Sequence, residues 1–62
     1  MKAYLNEQKT HRIEIKREKV GVYLLEFDEN DVCISDTWHI TLEDAKRQAE
    51  YSFGITEADW QE

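Results

Sequence analysis

Sixty-two residues with a net charge of −6 and a single cysteine make one small domain, and that cysteine excludes an internal disulfide. No apolar run approaches the roughly 18–20 residues needed to cross a bilayer, and the start MKAYLNEQKT has no apolar segment of the signal-peptide kind. These features point to a soluble, cytoplasmic chain with no membrane partner. Chains below about 70–80 residues seldom reach more than roughly 3–5 kcal/mol of net stability from one core, so added burial against a partner is expected.

The first ten residues permit a short strand, because Met1, Ala3 and Leu5 alternate with Lys2, Tyr4 and Asn6; Glu7-Gln8-Lys9-Thr10 then reads as loop. Residues 11–18, HRIEIKRE, alternate with period two, with Ile13 and Ile15 opposite Arg12, Glu14 and Lys16, the mark of a half-buried strand. Glu18-Lys19 is the expected turn. Residues 20–28, VGVYLLEFD, are apolar on both sides and belong in the middle of a sheet. Asp28-Glu29-Asn30-Asp31 forms a turn in which Asn30 takes a positive φ, and Val32–His39 makes the third strand.

Counting outward from a Glu29-Asn30 loop opposes Phe27 to Val32, Leu25 to Ile34, Tyr23 to Asp36 and Gly21 to Trp38. Opposed residues share a face, so Phe27, Leu25, Tyr23, Val32, Ile34 and Trp38 form one apolar layer, and Gly21 leaves room for the indole. Thr41 caps a helix whose first turn carries Glu43 and Asp44. Leu42, Ala45, Ala49 and Phe53 give it one apolar stripe, expected to lie on that aromatic layer. Gly54 is the left-handed stop, and Ile55 folds back. Thr56-Glu57-Ala58-Asp59 repeats the capping pattern as one more turn before Trp60. The fold class is α+β: a three-stranded antiparallel meander, β-β-β-α, with the helix on one sheet face, room for an extra short N-terminal strand, and a C-terminal helical turn. Residues 1–62 form a single domain.

The first hairpin has two registers. A Glu18-Lys19 loop sets Ile15 opposite Val22 and Ile13 opposite Leu24. A loop that includes Val20 sets Ile15 opposite Tyr23 and Ile13 opposite Leu25. A one-residue slip exchanges the two faces. The first register puts Ile13 and Ile15 with Val22, Leu24 and Cys33 on the face the helix leaves open. Ile13, Ile15, Val22, Leu24, Cys33 and Trp60 are therefore the expected interface, used for self-association as a homodimer or for contact with another protein.

Residues 1–20 hold six Lys/Arg against three Glu, and residues 21–62 two against eleven Asp/Glu, so the halves carry +3 and −9. That balance argues against a nucleic-acid partner. It also raises an alternative, an acidic inhibitor or immunity-type protein for a basic partner, its field supplied by Asp28, Glu29, Asp31, Glu43, Asp44, Glu50, Glu57, Asp59 and Glu62. Cys33, Asp36 and His39 alternate across a strand and so do not converge as a metal site, which needs three or four ligands. Ser35, Asp36 and His39 have the residue types of a hydrolytic triad without a nucleophile elbow. No catalytic, cofactor-binding or metal residue is assigned, and the chain is not expected to be an enzyme. A small-ligand or metal accessory module using Cys33, His39 and Trp60 at a subunit interface is the alternative from another class.

The residues GVYLLEF, then DTW-x-x-TLEDA-x-x-QAE-x-x-FGI-x-x-x-DW, resemble a group of small uncharacterised bacterial proteins. In these a Tyr-containing strand and a Trp precede a capped helix, an aromatic-Gly pair and a final Trp. The resemblance runs from Gly21 to Trp60. It implies a bacterial stand-alone domain and transfers no catalytic residue.

Overall fold

The computed structural model describes residues 1–5 and 10–61; Glu7-Gln8-Lys9 of the expected loop and Glu62 of the acidic set lie outside them. Four strands, β1 (Lys2–Tyr4), β2 (Arg12–Glu18), β3 (Gly21–Phe27) and β4 (Cys33–His39), form one antiparallel sheet in the order β1-β2-β3-β4. The helix α1 (Leu42–Phe53) and a 3-10 turn (Glu57–Asp59) follow. The extra N-terminal strand is present, with Ala3 opposite Ile13 and Tyr4 opposite Arg12.

Neither expected register of the first hairpin occurs. Its two-residue loop is Lys19-Val20, with Glu18 opposite Gly21, Arg17 opposite Val22 and Ile15 opposite Leu24. Val20 therefore leaves the central strand for an exposed turn. The second hairpin also closes differently. Asp31, not Asn30, takes the left-handed conformation, at φ 66°. The Asp28 carboxylate accepts from the Asn30 N–H at 2.9 Å and the Val32 N–H at 3.0 Å, and the Asp28 carbonyl accepts from the Asp31 N–H at 3.0 Å. This is a three-residue loop ending in a left-handed residue. It slips the register by one, setting Phe27 opposite Cys33, and an irregularity after Glu26 slips it again. Two slips restore parity. Tyr23 then faces Trp38 and Leu25 faces Asp36, so Tyr23, Leu25, Phe27 and Trp38 share a face as expected.

That face is not the one α1 covers, which corrects the expected layering. The core is Ala3, Ile13, Ile15, Val22 and Leu24 from the sheet, Ala45 and Ala49 from the helix, and Ile55 beyond it. Strand β2 decides the matter. Its apolar residues Ile13 and Ile15 sit on the Val22/Leu24 side, while its other side carries Arg12, Glu14 and Lys16. Laying a helix on those charges would strip their water without supplying partners. The aliphatic face has no such obstacle, and Ala45 and Ala49, both fully buried, bring the helix close to it.

The helix begins and ends as its sequence dictates. Thr41 Oγ1 accepts from the Asp44 N–H at 3.1 Å. Gly54 stops the helix at φ 69°, its N–H donating to Glu50 O at 2.9 Å, and Ile55 turns into the core with 2% of its surface exposed. In the following turn the Thr56 N–H and hydroxyl donate to Asp59 Oδ2 at 2.8 and 3.0 Å. The chain then returns to β1. Lys2 N donates to Gln61 O at 2.8 Å, and Gln61 N donates to Lys2 O at 2.7 Å, closing that sheet edge.

Candidate functional site

With α1 on the aliphatic side, the opposite face of the sheet is left without a covering layer among the described residues. Its side chains follow from the register as rows across the strands. One row is Tyr4, Arg12, Phe27 and Cys33; the next is Lys2, Glu14, Leu25 and Asp36; the third is Lys16, Tyr23 and Trp38. Tyr4, Tyr23 and Trp38 are 37–48% exposed, and Leu25 and Phe27 are half-buried by their neighbours. Apolar and aromatic surface of this extent, ringed by charge, is the usual character of a contact surface.

Two contacts fix its geometry. The Arg12 guanidinium lies over the Phe27 ring, 4.2 Å from its centroid, and pairs with Asp31 and with Glu14, the latter at 2.6 Å from Nε. Partial desolvation pulls the Arg12 pKa down, yet hydrogen bonding and charge from Asp31 and Glu14 outweigh it and raise the pKa above its ordinary value. Arg12 is a permanent cation that spans β2 and the β3–β4 turn. At the other end the Trp38 indole lies over Gly21, where a Cβ would overlap it, and Gly21 has φ 156°, which L side chains rarely adopt. The edge-on contact of Tyr4 with His11, at 5.8 Å between centroids, steadies the β1 end.

The expected interface residues are distributed differently. Ile13, Ile15, Val22 and Leu24 are all 6% exposed or less, buried beneath α1, because the helix took the face they had been expected to present. Cys33 is an exposed free thiol, but it lies opposite Phe27 rather than beside Val22 and Leu24. Trp60 is half-buried and packs against the core near Ile55. Tyr23, Leu25, Phe27 and Trp38, which strand periodicity groups together but which are expected under the helix, are instead the apolar residues of the uncovered face.

No hydrolytic or metal constellation forms from β4. Ser35 and His39 lie on the helix side and Asp36 on the uncovered side, and His39 Nε2 is hydrogen-bonded to Thr37 Oγ1 at 2.7 Å. Cys33 and His39 stand at opposite ends of a seven-residue strand, about 20 Å apart. Among the described residues no three His, Cys, Asp or Glu side chains converge as metal ligands, and no helix is long and apolar enough to cross a membrane. Compared with protein-family models, curated proteins and solved structures, the chain matches none.

Proposed function

We propose that this chain is a non-enzymatic, cytoplasmic protein that works by protein–protein contact, with a second copy of itself as the partner of the uncovered sheet face. The observation that carries the reading is the aromatic layer in which Tyr23 and Trp38 are exposed and Phe27 half-buried, in a chain with little other core to draw on. Its charges favour a second copy. Lys2 and Lys16 lie on the β1–β2 half, and Asp36 lies on β4. A two-fold axis parallel to the strands stacks one copy's β1–β2 half over the other's β4, bringing cations to Asp36, as an isologous interface requires. The resemblance of Gly21–Trp60 to small bacterial proteins supports a bacterial source.

Sedimentation equilibrium at micromolar concentration tests the reading. The parent chain is expected to sediment as a dimer. Tyr23→Glu, which puts a charge at the centre of the face beside Lys16, is expected to give a folded monomer. A parent chain that is strictly monomeric at these concentrations contradicts the homodimer.

A further inference from the structure

Strand β3 carries a carboxylate on the helix side of the sheet. Glu26 stands opposite Ile13 and Ser35, on the face that α1 covers, and is half-buried there. The buried Thr10 hydroxyl donates to its Oε2. Among the described residues no Lys or Arg is paired with it. It borders a groove of about 240 Å³ between β4 and α1, in which it is the one charged side chain among the described residues. Leu24 and Phe53 form the apolar surface of this groove, and Ser35, Thr37, Gln48 and Ser52 its polar walls. Gln48 Nε2 donates to Ser52 Oγ at 2.6 Å, so the helix wall is hydrogen-bonded within itself. A half-buried carboxylate whose one partner is a hydroxyl has given up water without gaining a counter-charge, a cost that a cation in the groove offsets.

We propose that this groove binds a small primary amine, its ammonium held by Glu26 and Ser35 and its apolar body lying on Leu24 and Phe53. An ammonium donates three hydrogen bonds, and the Glu26 carboxylate with the hydroxyl oxygens of Ser35 and Thr37 supplies the acceptors. An anion is repelled by Glu26, and a neutral alcohol leaves its charge unpaired. A quaternary ammonium has no N–H to give these acceptors, and the single ring of Phe53 makes no aromatic cage. The volume equals that of about eight waters in the liquid. That suits a free molecule with head group and body both inside the groove, rather than a side chain tethered to a backbone outside it. The groove lies on the helix side, away from Tyr23 and Trp38, so the site does not depend on the homodimer.

The test is an NMR titration of the full chain, labelled with nitrogen-15 and carbon-13, with phenethylamine hydrochloride and, at equal ionic strength, its neutral analogue phenethyl alcohol. With the amine, saturable shifts are expected at the amides of Ser35, Thr37 and Gln48 and at the Leu24 methyls, with NOEs from the ligand's ring to Leu24 and Phe53. Loss of the charge-assisted hydrogen bonds is expected to weaken binding of the alcohol about tenfold or more, and Glu26→Gln to weaken binding of the amine by a similar factor. That substitution still offers an oxygen to the Thr10 hydroxyl, so it isolates the charge. Acetyl-lysine methylamide, which presents the same ammonium on a protein-like backbone, is expected to bind more weakly than phenethylamine. Absence of saturable shifts at millimolar amine overturns the proposal. So do shifts confined to Tyr23 and Trp38, equal binding of amine and alcohol, or binding of the lysine derivative as tight as that of the amine. Should Glu26→Gln fail to fold, the amine and the alcohol still decide the outcome with the parent chain.

Discussion

Gly21 shows how one residue shapes the uncovered face. Any β-carbon there meets the Trp38 indole, and the backbone angle of 156° is itself unfavourable to an L side chain. Gly21→Ala is expected to cost about 1–3 kcal/mol, read from the urea midpoint. In a Trp38→Ala background only the backbone share remains, so the double-mutant cycle should show a smaller penalty for the same substitution. The closeness of Gly21 and Trp38 was legible in the sequence although the pairing behind it was not. The loop ending at Asp31 and the irregularity near Ile34 each shift β4 by one residue, and the two shifts cancel in parity. Thr41 is a simpler case: its hydroxyl serves the Asp44 N–H, and Thr41→Ala should lower stability by about 1 kcal/mol in thermal or denaturant unfolding.

Among the elements, β2 determines which face is covered. Its alternation was plain from the sequence, and so were the capped helix and its glycine stop, because cap, period and stop are all local signals. The layering was not, because the larger side chains of β3 and β4 drew the helix to the aromatic side. The decisive feature was present in Arg12, Glu14 and Lys16, which share that side and cannot lie dry beneath a helix. Ile13 is fully buried and meets the helix layer through Ala45 and Ala49, so Ile13→Ala is expected to destabilise by about 2–5 kcal/mol in equilibrium unfolding. Ala49→Leu, which forces bulk between helix and sheet, should cost about 1–3 kcal/mol. If the helix lay on the aromatic face instead, Ile13→Ala would fall near neutral. The closure of β1 by Gln61 was invisible to sequence reasoning, since it joins two ends of the chain through backbone groups alone.

At the scale of the whole molecule, the chain builds a two-layer structure with one face finished by an alanine-lined helix and the other left aromatic. Its Cα radius of gyration is 10.7 Å, and a compact dimer of twice the length should reach about 14 Å in small-angle scattering. The candidate contact surface was only half legible. Which residues lie together on it followed from strand periodicity, whereas its exposure depended on where the helix came to rest. Whether two copies meet through this aromatic face, as proposed, is decided by an isotope-filtered NOE experiment on an equal mixture of labelled and unlabelled chains. Contacts between copies are expected at the rings of Tyr23, Phe27 and Trp38, with none at Ile13, Ile15, Val22 or Leu24. Intermolecular contacts at those four aliphatic residues, or none at all at a concentration where the chain is otherwise well ordered, would contradict it.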